Sequence, residues 1–283
     1  MTRLMDRRAA LKLGVWGAAG TGLAAWGLSG TARAATVTVR PEVRTLTLAQ
    51  WRRFVKAVHT LHDQGDYDRL VQLHLDNVIA AYGVPAFLPW NRAFLSRFEK
   101  LLQKIEKQVV LPYWDWSRDS QAPHNSSVLS PSYFGGTGRK ADGVVVGGSF
   151  ANWPCTVGHR GPLRRSGEPT IEPFYNRPLL NNVVQTSRTY TELRERLEGS
   201  PNGLVHVNIG GDMGTMHSPN DPLFWVHRAF IDLLWAQWQQ RSPRNADDYG
   251  GEGADRDDVL PGLGMTVKDA LHTAGLGYTY KPW

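Results

Sequence analysis

Cysteine is almost absent from this chain. Its 283 residues include one cysteine, Cys155, so no disulfide can form within a single copy. We interpret Cys155 as a small apolar core residue rather than a reactive thiol. Stability must then come from packing, and 41% apolar residues with eleven tryptophans are enough for one domain of catalytic size.

The chain also lacks internal repeats, low-complexity runs and a large excess of charge. The formal net charge is +6, of which residues 1–34 carry +4, so about +2 remains for the rest. A basic surface for nucleic acid is therefore not expected. Few periodic runs occur between residues 111 and 172, which predicts loops there.

Residues 1–34 have the pattern of a twin-arginine export signal. Arg7 and Arg8 precede a short run rich in Gly and Ala, and Ala32-Arg33-Ala34 has the form of a cleavage site. The run is too short to favour a stable membrane anchor. We expect the twin-arginine machinery to be a partner and the mature protein, cut near Ala34, to be exported to the cell envelope or outside.

Four apolar patterns of helical period predict a mainly α fold, a four-helix core wrapped by long loops. The first helix begins at a capping box of Thr47 and Gln50 and ends near Gly65. The others are expected at about 66–81, at about 90–107 and from Asp221 onward. We divide the chain into the leader, an extended arm at 35–45, a single domain at 46–241 and a tail at 242–283 that packs on or near it.

The stretch 201–235, PNGLVHVNIGGDMGTMHSPNDPLFWVHRAFIDLLW, concentrates the residues with chemical potential. Helical spacing places His227 and Arg228 toward packed protein. A buried arginine needs a partner, and Asp232, four residues on, is expected to supply it. His124 and His159 lie in the loop region and are interpreted as surface residues without partners.

Motifs in both halves of the chain resemble the tyrosinase family, the type-3 copper proteins that include catechol oxidases and hemocyanins. The matching segments, which extend the likeness over roughly 46–241, are Arg52-Arg53-Phe54-Val55, Gly65-Asp66-Tyr67-Asp68, Pro85-Ala86-Phe87-Leu88-Pro89-Trp90, Leu111-Pro112-Tyr113-Trp114-Asp115-Trp116, Phe134-Gly135-Gly136-Thr137-Gly138-Arg139, Asn152-Trp153-Pro154 and Ser218-Pro219-Asn220-Asp221-Pro222-Leu223-Phe224-Trp225.

The resemblance implies six copper-ligand positions, normally all histidine. They fall on His74, Tyr82 and Asn91 for the first ion and on Asn202, His206 and Arg228 for the second. His227 takes the neighbouring position that does not usually bind. Only two of the six positions keep a histidine.

A coupled copper pair needs several imidazoles per ion, and Arg228 stays protonated and repels a cation. We therefore interpret the site as a degenerate type-3 site and expect no cofactor. The retained ligand positions are His74 and His206.

Three functions remain open. The first is a copper-free, non-oxidative enzyme acting on an aromatic or polyketide-like small molecule in secondary metabolism. A non-catalytic binding protein is the second, and a phenol or catechol oxidase with a rearranged copper-ligand set is the third. The expected catalytic residues are His74, Asn91, Asn202, His206, His227 and Arg228, and Tyr82, His217 and Arg228 are expected to contact a phenol-like ligand.

Overall fold

The computed structural model describes residues 37–283. The predicted export signal at 1–34 therefore lies outside the described residues. Within the described part, no helix combines the length and the apolar character needed to cross a membrane.

Helices dominate the described chain, and the strands are short. The helices are α1 (Leu48–Asp63), α2 (Asp66–Ala81), α3 (Phe87–Ile105), α4 (Arg177–Thr186), α5 (Tyr190–Leu197), α6 (Gly203–Ile209), α7 (Leu223–Gln240), α8 (Pro243–Ala246) and α9 (Val267–Ala270). The strands are β1 (Thr38–Arg40), β2 (Pro154–Cys155), β3 (Gly161–Pro162), β4 (Val259–Leu260), β5 (Met265–Thr266) and β6 (Tyr278–Tyr280). β1 pairs with β6 in parallel, whereas β2 pairs with β3 and β4 with β5 in antiparallel hairpins.

Helices α1, α2, α3 and α7 pack on one another and form the core, which confirms the predicted mainly α four-helix architecture. The capping box at the start of α1 is present as predicted. α3 begins at Phe87, three residues before the predicted start. Pro89 is tolerated there because N–H groups in the first helical turn need no intrahelical partner.

Helix α7 begins at Leu223 rather than at Asp221. Asp221 is extended, and its Oδ1 accepts a 2.9 Å hydrogen bond from the backbone N–H of Leu223. The same carboxylate forms a fully buried ion pair with Arg165, with an Nε to Oδ2 distance of 2.8 Å. Asp221 thus both caps the helix and fixes the loop that carries Arg165.

A buried carboxylate, Asp232, joins the ends of the described chain to the bundle. Arg40 of β1 and Arg92 of α3 lie 3.4 and 2.5 Å from its oxygens. The hydroxyls of Tyr278 and Tyr280 in β6 donate to Asp232 Oδ2 at 2.6 and 2.8 Å. These partners lower the pKa of Asp232 against the raising effect of its burial. The short β1–β6 ladder therefore rests on a charge cluster inside the protein.

The expectation that Asp232 neutralises Arg228 is wrong. Both guanidinium partners of Asp232 come from other elements, namely Arg40 and Arg92, and the described residues show no ion pair between Asp232 and Arg228. A carboxylate already neutralised by two cations and two hydroxyls gains little from a third cation, so Arg228 is left to a different environment.

We predict that Asp232→Asn lowers the free energy of unfolding by about 3 kcal/mol, because Arg40 and Arg92 lose a buried counter-charge. Denaturant unfolding of the purified protein measures this loss. Asp142→Asn is the control, since the Asp142–Arg139 pair is exposed and such pairs contribute little. Equal stability of Asp232→Asn and the wild type would contradict this role of the carboxylate.

Candidate active site

A cavity of about 850 Å³ lies between α2, α6, α7 and the segment that joins α6 to α7. The residues that line it are His74, Val78, Ile79, Tyr82, Glu198, Asn202, Gly203, His206, Val207, Met213, Gly214, Thr215, Met216, His217, Ser218 and Arg228. Its volume is that of a site for a small molecule. Five of the six family ligand positions line it.

Arg228 is the only arginine or lysine on this lining, and its charge has no carboxylate partner among the described residues. The residue is 2% exposed. Its Nη2 donates to the hydroxyl oxygen of Tyr82, whereas Nε and Nη1 are buried without a hydrogen-bond partner. The nearby carboxylate of Glu198 pairs instead with Arg194 at 2.7 Å. Burial lowers the pKa of Arg228, and Tyr82 and Glu198 oppose that shift.

Aromatic rings partly compensate this charge. The guanidinium carbon lies 5.0 Å from the ring centroid of Tyr82, 5.2 Å from that of Phe224 and 5.5 Å from that of Phe87. Cation–π contacts of this kind are each worth about 0.5–2 kcal/mol. They do not satisfy Nε and Nη1, each of which has less than 1 Å² of accessible surface, so a ligand reaches these donors only when a neighbouring side chain moves aside.

Tyr82 connects Arg228 to His74. The hydroxyl of Tyr82 accepts from Arg228 and donates to Nε2 of His74, at 3.0 Å. Nδ1 of His74 donates to the carbonyl of Met216, at 2.9 Å. This chain fixes His74 as the neutral Nδ1–H tautomer, and its second nitrogen is already occupied.

His206 is held similarly but keeps one nitrogen free. Its Nδ1 donates to the carbonyl of Met213, at 2.8 Å, so Nε2 carries the lone pair. This atom is buried and has no partner among the described residues. His206 therefore has an oriented, unpartnered lone pair on an atom that the surrounding side chains cover.

Both imidazoles are kept neutral by their surroundings. Burial, followed by the positive charge of Arg228, lowers the pKa of His74 to about 3, although the hydrogen bond to Met216 raises it. Burial and Arg228 likewise lower the pKa of His206. At neutral pH both rings are neutral: His74 is a hydrogen-bond partner at both nitrogens, and His206 keeps one lone pair without a partner in the described chain.

Asn91 and His227 do not line this cavity, although both were expected at the site. His227 is fully buried behind Asn202, donates from Nε2 to Asn202 Oδ1 at 3.1 Å and accepts from Trp116 Nε1 at 3.2 Å. Asn91 donates to the carbonyl of Phe87 one turn earlier in α3, at 2.8 Å. Through these contacts His227 holds the side chain of Asn202 in place, and the side chain of Asn91 forms a hydrogen bond within its own helix.

Other residues at the site follow from the fold. The carbonyls of Met213 and Met216 orient the two histidines, and Glu198 lines the cavity from a π-helical turn before α6. Main-chain carbonyls carry no residue-type signal, so sequence patterns could not identify them. His217, which we expected near the pocket entrance, lines the cavity with its side chain 20% exposed.

The protein belongs to the class of helical bundles in which side chains from facing helices form the site. The sequence profile described as "Common central domain of tyrosinase" matches residues 64–241. The chain belongs to the tyrosinase family.

Curated relatives and solved structures agree with this assignment. The chain is 40% identical over 233 residues to a tyrosinase of Streptomyces glaucescens, covering 73% of this chain and 84% of that protein. It is 33% identical to a grixazone synthase of Streptomyces griseus, with coverage of 73% and 86%. A polyphenol oxidase of Thermothelomyces thermophila shares the fold with a TM-score of 0.76 at 23% identity, over 87% of this chain and 89% of that one.

The expectation of no cofactor is wrong at the level of the family. Tyrosinase-family relatives at this level of sequence identity are type-3 copper proteins, so copper is the cofactor associated with this fold in the family. The expectation came from counting lost ligands, and a count of ligands does not decide whether a protein binds metal.

The described side chains nevertheless do not fit a copper pair with three imidazoles per ion. Only the rings of His74, His206 and His217 line the cavity. The Tyr82 hydroxyl occupies Nε2 of His74, and the guanidinium of Arg228 brings a permanent positive charge into the same space.

The neutral state of His74 makes stability depend on pH. The unfolded chain takes up this proton near pH 6.5, whereas the folded chain does so only near pH 3, so the free energy of unfolding falls as the pH falls through this window. We predict that His74→Gln removes a slope of about 1.4 kcal/mol per pH unit. Denaturant unfolding at several pH values tests this.

The control is His272→Gln, whose ring is half exposed and paired with Asp247. This variant is expected to keep the wild-type slope. An unchanged slope in His74→Gln would show that His74 is protonated in the folded protein at pH 5.

Proposed function

We propose that this tyrosinase-family protein binds a small phenol-like or other aromatic molecule with an anionic oxygen and catalyses non-oxidative proton transfer on it. The observation that carries the proposal is the buried guanidinium of Arg228 with two unpartnered N–H donor atoms. An unpaired buried charge costs several kcal/mol. A carboxylate, phenolate or enolate oxygen in the cavity would supply the missing partner.

Arg228 and His206 have separate roles in such a reaction. Nε2 of His206 accepts a proton from a C–H or O–H group of the ligand, and the bonding electron pair moves onto the oxygen held by Arg228. The same proton returns from His206 to another atom of the ligand, so the net change is an isomerisation or a cyclisation. Arg228 stabilises the charge that develops on oxygen.

The relatives support the substrate class and the biological setting. Relatives named tyrosinase and grixazone synthase favour a small aromatic molecule in secondary metabolism. The export pattern of residues 1–34 supports action outside the cytoplasm after cleavage near Ala34.

One observation favours a second candidate, an atypical copper oxidase. His206 has the arrangement of a metal ligand, since Nδ1 donates to a carbonyl while Nε2 is free. His74, His206, His217 and His227 would then form a rearranged ligand set, which requires His227 to give up its bond to Asn202.

The anion site makes a direct prediction for binding. We expect Arg228→Met to weaken binding of 4-hydroxybenzoate about 10- to 100-fold, the value of a charged hydrogen bond, while binding of neutral 4-hydroxybenzyl alcohol stays unchanged. Isothermal titration calorimetry measures both. Arg69→Met, which removes an exposed arginine, is the matched control. Equal affinity of Arg228→Met and wild type for the carboxylate would exclude the anion site.

Proton transfer makes a prediction for turnover. We expect the protein to accelerate deuterium exchange at the carbon beside the keto group of 4-hydroxyphenylpyruvate, and His206→Asn to lower that rate at least 100-fold. Nuclear magnetic resonance follows the exchange. The control His124→Asn replaces a histidine that binds the Ile171 backbone elsewhere.

The remaining outcomes of this experiment select the alternatives. Tight binding of the probe without exchange would establish the non-catalytic binding protein. A finding of two coppers per chain together with oxygen-dependent catechol oxidation would contradict the proposal and establish the copper oxidase.

A further inference from the structure

A second group of metal-ligating side chains lies beside the cavity. Ligand atoms of Cys155, His159 and Asp212 all lie within 4.8 Å of one another. Nε2 of His159 is 2.7 Å from Asp212 Oδ1, and Nε2 of His217 is 3.6 Å from the same oxygen. The expectation that His159 is a surface residue without a partner is therefore wrong. Two loops distant in sequence bring the four residues together.

Asp212 is the buried centre of this group. Its side chain is 1% exposed, and its Oδ2 accepts from the backbone N–H of Arg164 at 2.8 Å. The amide of Asn220 donates to Oδ1 at 3.2 Å. In the described chain, its only ion-pair partners are the rings of His159 and His217. A buried carboxylate without arginine or lysine is oriented by neutral donors but lacks a permanent counter-charge.

The space around the carboxylate is open enough for an ion. A cavity of about 260 Å³ is lined by His159, Arg164, Asp212, His217 and two neighbouring residues. Gly158 packs directly against the ring of His217, since a Cβ there would lie 2.3 Å from Nδ1. This close approach holds the His217 ring beside Asp212, with 20% of the side chain exposed.

We propose that Cys155, His159 and Asp212 bind one divalent ion of the zinc class. A thiolate, an imidazole and a carboxylate are donors that Zn²⁺ takes in tetrahedral geometry, with bonds of about 2.0–2.3 Å. The fourth position is left to water or to His217, whose Nε2 lies 3.6 Å from Asp212 Oδ1. Binding displaces the thiol proton of Cys155, which leaves to solvent as the Cys155 sulfur–metal bond forms.

The ion would also support the larger cavity. Asp212 and His217 flank Met213 and Met216, whose carbonyls hold His206 and His74. A cation that ties this segment to the loop of Cys155 and His159 fixes both carbonyls. The site shares His217 with the lining of the larger cavity but includes neither Arg228 nor His206, on which the proposed function rests, so either proposal can fail without the other.

Cobalt(II) is the probe, because the chain has one cysteine and a thiolate-to-cobalt absorption band can only report Cys155. We expect chelator-treated full-length protein to bind one Co²⁺ with such a band and one Zn²⁺ to abolish it. Cys155→Ser should remove the band. His159→Ala and Asp212→Asn should each weaken Co²⁺ binding at least tenfold, with circular dichroism as a check on folding.

Two controls separate this site from the larger cavity. His206→Ala and His272→Ala should both keep the band and the affinity. Absence of a thiolate band at one equivalent of Co²⁺ overturns the proposal. So does a band whose affinity is unchanged in both His159→Ala and Asp212→Asn, because it would then report a thiol acting alone.

Discussion

A guanidinium removed from water with no carboxylate beside it sets the chemistry of the whole cavity. Burial and, after it, the charge of Arg228 lower the pKa of both His74 and His206. Arg228 also polarises the Tyr82 hydroxyl and has two donor nitrogens without partners among the described residues. The cavity therefore combines one unpartnered imidazole lone pair, on His206, with one fixed positive charge. Such a combination suits an anionic ligand that must lose a proton, and it opposes a second cation nearby.

This isolation of Arg228 depends on how other charges in the bundle are distributed. Asp232, one helical turn away, is saturated by Arg40, Arg92 and two tyrosine hydroxyls, and Glu198 is held by Arg194. Asp232 and Glu198 therefore each pair with an arginine other than Arg228. The fold satisfies these acids elsewhere, and among the described residues Arg228 has no carboxylate partner.

Helical periodicity and motif positions were sufficient to predict the four-helix core and six of the sixteen residues that line the cavity. His74, Tyr82, Asn202, His206, His217 and Arg228 were predicted from the family resemblance. Contacts between distant segments were not predictable in this way. The pairing of Asp232 with Arg40 and the meeting of His159 with Asp212 depend on how loops close. His227 points inward as helical periodicity indicates, but periodicity could not show that Trp116 and Asn202 occupy both its nitrogens.

The parallel pairing of β1 with β6 places the first and last strands of the described chain side by side. Both strands contribute groups that neutralise the same carboxylate, Arg40 from one and two tyrosines from the other. Removal of either strand by an exopeptidase would therefore leave the buried carboxylate of Asp232 without some of its partners. The strand at the opposite end would be destabilised as well. Resistance of the protein to degradation would then depend on this one pair of strands, where both ends must fray together before digestion can advance.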